Sequence, residues 1–459
     1  MRTVPPACSA RRALRAAGLA LLLAVAGAFP GASHARAYPA APQQPAAAPA
    51  PRRMPVVHDV AVAGDQQLEL VESVPVESGL GNPALPSALE VWLAAIRGAH
   101  GTLDLEEFYL SDWPGEPLHE VLEEIGRAAR RGVEVRLLLD VRMHQTYPLP
   151  ADSLGRLPNI HVRLLDMGKL AGGVQHAKFF VVDGHGVYLG SQNLDWRALE
   201  HIHELGVWIN DFRLGRVFQE LFDEDWERAG PNPDPQRLVA QVPQQPWYRL
   251  PFRLAQPEGD TVEVWPSYSP RGLIPDSTRW DRDALVRLLD SARHEIVMQS
   301  LTYSTQSGRL SDDALDQALR RAAARGVKVR MIISDWGTGK RQIEVLRSLA
   351  QVPNVEIKIS TVPPWSGGYV PFARVEHCKY AVVDTAETWV GTSNWEPSYF
   401  HTTRNVAVIL GSPRLAGQAR QVFQASWSAP GAAPLDLHRD YPEKIHGETP
   451  PPGAKKYGE

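Results

Sequence analysis

Two stretches of this chain, 201 residues apart, carry one and the same polar pattern. His176-Ala177-Lys178-Phe179-Phe180-Val181-Val182-Asp183 is followed by Gly190-Ser191-Gln192-Asn193. His377-Cys378-Lys379-Tyr380-Ala381-Val382-Val383-Asp384 is followed by Gly391-Thr392-Ser393-Asn394 at the same distance. The duplication reaches beyond these motifs. Arg131-Gly132-Val133-Glu134-Val135-Arg136 returns as Arg325-Gly326-Val327-Lys328-Val329-Arg330, and Pro158-Asn159-Ile160 as Pro353-Asn354-Val355. A repeat kept nearly in step over so much sequence means two copies of one folding unit.

Each copy reads as alternating helix and strand. Ser87 and Glu90 form a capping-box pattern ahead of an amphipathic helix that runs to about Gly98. Leu103 to Leu110 reads as a strand, Leu118 to Arg131 as a helix stopped by Gly132, and Val133 to Asp140 as a buried strand. Asp281–Ala292, Glu295–Tyr303, Asp312–Arg325 and Val327–Ser334 repeat the order. Such alternation predicts a mostly parallel or mixed sheet covered by helices. The fold expected is α/β, with two similar lobes at 56–240 and 241–435. A chain of 459 residues has room for two or three domains, at roughly 150 residues each.

The motif spacing has a geometric reason. On an extended strand His176 and Lys178 share one face, while Ala177 and Phe179 point to the other. The cationic pair can therefore line a cleft while its neighbours enter the core. The Gly-[Ser/Thr]-x-Asn turn that follows can offer hydroxyl, amide and backbone N–H groups to an anion, through Ser191 and Asn193 or Thr392 and Asn394. If the halves face each other, two histidines and two lysines converge on one site. That set suits phosphodiester cleavage: one imidazole attacks phosphorus, while the other protonates the departing oxygen and then activates water. The lysines and amides would stabilise the equatorial oxygens. One half alone has a nucleophile but no acid. A solitary His-x-Lys-x4-Asp reads as a solvated strand edge; two copies at matching points of a repeat do not. The catalytic candidates are His176, Lys178, Asp183, His377, Lys379 and Asp384, with no metal and no cofactor expected.

Both motifs resemble the HKD signature of the phospholipase D superfamily. That resemblance implies two phospholipase-D-type α/β/α lobes related by pseudo-twofold symmetry, an active site at their interface, and a covalent phosphohistidine. More closely, the chain resembles the endolysosomal phospholipase-D-like 5′-exonucleases of animals and their bacterial relatives. The likeness spans about residues 67 to 430. It is carried by Leu70-Val71-Glu72-Ser73-Val74-Pro75, by His176 through Gly206 with Leu194-Asp195-Trp196-Arg197, and by Tyr369 through Phe400 with Asn394-Trp395. It implies His176 as nucleophile and His377 as acid/base. Glu204 stands where family members often hold an acid that orients a catalytic histidine, and its counterpart in the second half is Asn405. The two histidines are thus expected to be tuned differently. Unlike the disulfide-stapled animal enzymes, this chain has only Cys8 and Cys378.

The ends of the chain read differently from its middle. Arg2, Arg11, Arg12 and Arg15 precede the apolar stretch Ala16–Ala28, and Ala35-Arg36-Ala37 follows. Residues 1–37 therefore read as an export signal, with a retained membrane anchor as the alternative; the apolar stretch is short of the ~20 residues that spanning needs. Residues 38–55, rich in Ala, Pro and Gln, are expected to be a flexible linker, and 436–459 a loosely held polar tail. Removal of the signal leaves Cys378 alone, a pattern that fits a periplasmic or extracellular bacterial protein better than an animal one. Five arginines and no acids lie in 1–37, so a chain of net charge −4 becomes about −9 without them. Such a chain offers no broad basic face for duplex DNA, and any phosphate site has to be local.

Other polar and aromatic residues have plainer readings. Trp196 and Trp395 could stack a base or an acyl chain, but packing is the favoured reading. Cys378 is expected in the core, His185 at a solvent-facing hairpin turn, and Gly339-Lys340 with the loop Pro363–Pro371 at a solvated rim. His201, His203 and His401 lack carboxylate or thiolate partners at metal-ligand spacing. The favoured substrate is single-stranded nucleic acid, and the alternative is a phospholipid cleaved or transferred by the same chemistry. A non-catalytic binding protein is the third reading, and intact motifs in both halves speak against it. No stable protein partner is evident.

Overall fold

The computed structural model describes residues 68–231, 248–441 and 447–458. The expected signal (1–37), the linker (38–55) and the lobe boundary at 240/241 lie outside the described residues.

Local signals set the elements. Helix Ala88–Arg97 starts on a reciprocal capping box, Ser87 accepting from the Glu90 N–H and Glu90 from the Ser87 N–H. Helices Pro117–Arg130 and Ala314–Ala324 end the same way in the two halves. Gly132 and Gly326 take φ values of 99° and 90°, and the following Val133 and Val327 N–H groups reach back to Ala128 and Ala322. A left-handed residue there releases the chain straight into strands Glu134–Asp140 and Lys328–Ser334.

The strands form two mixed sheets. The first runs Leu68–Ser73, Ile202–Asn210, Gly186–Gly190, Phe179–Val182, Thr102–Glu107, Glu134–Asp140, Ile160–Leu165. The second runs Phe252–Ala255, Thr261–Ser269, Asn405–Gly411, Glu387–Gly391, Tyr380–Val383, Glu295–Ser300, Lys328–Ser334, Val355–Ser360, Ala432–Pro434. The last three strands of the first sheet are mutually parallel, as are their counterparts in the second. Elsewhere within these two runs the pairing is antiparallel, so the sheet is of the mixed kind. A continuous apolar core joins the inner face of the first sheet and helix Phe212–Arg228 to the second sheet, through Phe179, Phe218, Phe222, Tyr268 and Trp389.

The halves exchange backbone. Strand Val375–Glu376 leaves the second half and pairs in parallel with Ile202 and His203 of the first. Reciprocally, Gln175 bridges to Arg404. Among the described residues no helix is long and apolar enough to cross a membrane.

The C-terminal region folds back onto the rest of the molecule. Ala432–Pro434 completes the second sheet beside Val355–Ser360. Residues 447–458 then return across the first half: the Lys455 carbonyl accepts from the Tyr369 N–H at 2.8 Å, and the Tyr457 ring lies against Trp196, His201 and Trp365. An aromatic side chain near the end anchors a tail whose composition reads as loose.

Candidate active site

His176 and Lys178 lie just before strand Phe179–Val182 rather than on it, in extended backbone whose neighbours Ala177 and Phe179 enter the core. The expected alternation of faces holds, and the same is true of His377, Cys378 and Lys379 ahead of Tyr380–Val383. Each lysine ammonium donates to the carbonyl of its own histidine, Lys178 at 2.6 Å and Lys379 at 2.8 Å. Those contacts fold the two side chains of each motif toward one point.

The two motifs meet because each histidine is held by the opposite half. The His176 N–H donates to the Arg404 carbonyl and the His377 N–H to the His203 carbonyl, both at 2.9 Å. The rings follow the same exchange. His176 Nδ1 lies 3.0 Å from Asn405 Oδ1, and His377 Nδ1 contacts Glu204 Oε1. The Asn405 amide nitrogen donates to the Tyr399 carbonyl at 2.9 Å, and its Oδ1 also accepts from the Thr392 hydroxyl. That oxygen therefore faces an Nδ1–H donor, which leaves the lone pair of His176 on Nε2. Phe108 and Tyr399 flank the His176 ring at centroid distances of 4.8 and 5.0 Å.

Burial and like charge shape the site. His176 is held well below the ordinary imidazole range by burial and then by Lys178 and Lys379. His377 is lowered by burial, then by Lys379, Lys178 and His176. Lys178 is pushed far down by burial, and Lys379 falls by burial to about 7. That His377 feels both lysines and His176 is the electrostatic sign of one shared site. Glu204 is raised well above the carboxylate range by burial, with Lys379 and Lys178 pulling it back. The contact between Glu204 and His377 Nδ1 is thus a shared-proton pair, whereas Asn405 can only accept from His176.

The structure sorts the remaining candidates. Asn193 and Asn394 are buried at the site; the side-chain oxygen of Asn193 and both amide atoms of Asn394 have no hydrogen-bond partner among the described residues. Unsatisfied buried amides in the turns that follow the two motifs suit an incoming anion. Ser191 and Thr392 are tied to the sheet through their hydroxyl oxygens. Ser191 Oγ accepts from the Leu205 N–H and Thr392 Oγ1 from the Val406 N–H, each at 3.1 Å. Asp183 and Asp384 stand at the far hairpins, with φ of 52° and 55°. Asp183 accepts from the backbone N–H groups of His100, Gly101 and Thr102, and Asp384 from those of Arg293, His294 and Glu295. Four strand residues separate each from its lysine, so both carboxylates fix the preceding loop and take no part at the cleft. Trp196 and Trp395 are packed, as is Cys378; His185 is exposed and His401 pairs with Asp312.

Several contributors have no sequence spacing to announce them. Glu107, raised by burial and faced by Lys178, ends strand Thr102–Glu107 next to Glu106. Adjacent acids at the C-terminal end of an apolar strand were the available signal, because ligands gather at such ends. His203 has partners that spacing hides: its ring, Glu376 and Cys378 bring ligand-type atoms within 4.8 Å of one another, and Glu116, Glu200 and His201 form a second such group. Both ring nitrogens of His203 are hydrogen-bonded to carboxylates, and burial pushes the Cys378 thiol up to about 12. That chemistry holds protons rather than a cation.

Comparison with known proteins agrees with this geometry. Residues 92–226 and 285–427 match the family described as cardiolipin synthase, PLD-like domain. The chain is 33% identical over 406 residues to the 5'-3' exonuclease PLD3 of Bos taurus, covering 81% of each chain. It is 31% identical over 409 residues to the human 5'-3' exonuclease PLD4, covering 81% of this chain and 79% of that one. In fold it is similar to the phosphatidylserine synthase of Haemophilus influenzae Rd KW20, with a TM-score of 0.54 at 13% identity over 80% of this chain and 87% of that one. With two reciprocally held histidines and matches across both halves, this chain belongs to the phospholipase D superfamily, as a two-motif member of its PLD-like domain family.

Proposed function

We propose that this protein hydrolyses single-stranded nucleic acid from an exposed end, without a metal, through a phosphohistidine on His176. The carrying observation is the unequal partnering of the two imidazoles. His176, bonded to the neutral Asn405, keeps an unprotonated Nε2 for attack on phosphorus. His377, bonded to the acidic Glu204, can take and return a proton. Attack by Nε2 forms the N–P bond and expels the leaving oxygen, which takes its proton from His377. Water then gives a proton back to His377 and displaces the phosphoryl group from His176. Lys178, Lys379, Asn193 and Asn394 supply positive charge and amide donors to the equatorial oxygens, the work a metal ion performs elsewhere.

Relatives named as 5'-3' exonucleases favour nucleic acid as the substrate. The burial of the reactive groups favours a strand end over the middle of a duplex: His176 is 6% exposed, and both lysines are wholly buried. The test offers purified protein a single-stranded oligonucleotide with a free 5′-hydroxyl, the same strand with a 5′-phosphate, and phosphatidylcholine vesicles, each with and without EDTA. Shortening of an oligonucleotide from one end, unchanged by EDTA, is expected. Release of choline with intact oligonucleotides would instead establish the phospholipid reading. Loss of hydrolysis on chelation, restored by added metal, would overturn the two-histidine mechanism.

A further inference from the structure

One position before each orienting residue, the two halves place a buried base that also carries the opposite histidine. Arg404 precedes Asn405 and accepts the His176 N–H; His203 precedes Glu204 and accepts the His377 N–H. Arg404 is permanently charged, with its guanidinium 2.6 and 3.0 Å from the two oxygens of Asp225. His203, fully buried, sits between two carboxylates: Nε2 is 2.8 Å from Glu72 Oε1, and Nδ1 is 2.7 and 3.0 Å from the oxygens of Glu376. Glu72 also accepts the Asn82 N–H at 2.8 Å. An ionised carboxylate only accepts, so donation from both ring nitrogens requires the imidazolium. With no lone pair left on the ring, the cluster is a charge clamp rather than a cation site.

We propose that His203 is a positioning residue whose doubly protonated ring clamps strand Val375–Glu376 onto strand Ile202–Asn210, so that Glu204 stays against His377 and turnover falls when the clamp loses its proton. The inference rests on the phosphodiesterase reading above and assigns its upper alkaline limit, beyond the loss of the Lys379 proton at about 7, to a residue outside the cleft. The groups facing the ring are Glu72 from strand Leu68–Ser73, Glu376 and Cys378 from the second half, and Glu204 on its own strand; Lys379 and the Tyr380 hydroxyl lie beyond them. Burial opposes the charge, but Glu376, through its charge and its hydrogen bond, helps to outweigh it and hold the proton well above the ordinary imidazole range. Loss of that proton would turn a hydrogen bond into a lone pair facing a carboxylate, at the register that carries His377. The counterpart Arg404 cannot titrate in this range. Only one of the two clamps is therefore pH-sensitive.

The test compares wild type, His203→Lys and Glu72→Gln on bis(p-nitrophenyl) phosphate, a diester that is neither nucleic acid nor lipid, with kcat and KM followed from neutral to alkaline pH. Lysine keeps a cation between the carboxylates. His203→Lys is expected to retain neutral turnover with KM within about twofold, and to move the alkaline midpoint up by about one pH unit or more. Glu72→Gln removes one carboxylate and is expected to move it down by about half a unit or more. Midpoints unchanged in both variants would overturn the inference. Thermal unfolding gives a reading that needs no activity. A proton held more tightly when folded contributes stability that is complete below about pH 6.5 and is lost as pH rises through the folded value. The Tm of wild type should therefore fall over that alkaline range relative to that of His203→Lys; parallel Tm curves would also count against the clamp. A wild type that leaves the diester intact would refute the phosphodiesterase reading, and the Tm comparison would still decide the clamp.

Discussion

Asn405 and Glu204 occupy matching positions, bind the Nδ1 atoms of two matching histidines, and differ in charge. A neutral amide leaves His176 free of a proton, while a carboxylate gives His377 somewhere to hold one. Asn405→Asp tests this directly. A carboxylate within bonding distance favours the imidazolium, so the His176 pKa should rise by about one to three units. Because a protonated Nε2 cannot attack, the acid limb of kcat/KM should move up by the same amount while the alkaline limb stays. An acid limb in its wild-type place would mean that His176 is not the base form required. The His-x-Lys part of each motif was legible because alternation on an extended strand needs only adjacent residues. Asp183 and Asp384 were misplaced for the same reason: their distance from the lysine fixes a strand length, and that length carries them out of the cleft to cap the turns at 100–102 and 293–295.

At the level of elements, the two sheets are stitched by strands that change sides. The stitch on the His176 side is closed by Arg404, which donates to Asp225, to the Ser269 carbonyl at 2.8 Å and to the Leu273 carbonyl at 2.7 Å. Burial raises Asp225, and Arg404 with Arg228 outweighs it and holds the carboxylate below its usual range. Arg404→Met leaves that carboxylate to Arg228 alone, and removal of one partner from a buried ionic cluster costs up to about 3–5 kcal/mol. Urea unfolding should show that loss, with turnover reduced because the Arg404 backbone holds His176. A loss below about 0.5 kcal/mol, the scale of an exposed pair, would contradict the role. Helix and strand order within each half could be read from caps, glycines and periodicity, since those signals are local. The stitching pairs lie 173 to 229 residues apart, and no spacing rule reaches that far.

The whole molecule is a means of bringing two half-sites to one phosphorus. Neither half is complete: each supplies an imidazole, a lysine and an amide, and each depends on the other for the residue that orients its ring. The repeat announced the two lobes, and the convergence of their motifs followed from chemistry, but the crossed orientation of the rings joins residues that no spacing rule connects. The most direct measurement is to trap the covalent intermediate. Wild type, His176→Asn and His377→Asn would be quenched with base during turnover of bis(p-nitrophenyl) phosphate and mapped by peptide mass spectrometry. Both variants should lose at least about 10³-fold in turnover, as when one member of a catalytic unit is removed. The account predicts a nitrophenyl phosphate adduct on His176 in wild type, its accumulation in His377→Asn because no base activates water, and none in His176→Asn. An adduct on His377, or full turnover in either variant, would contradict it.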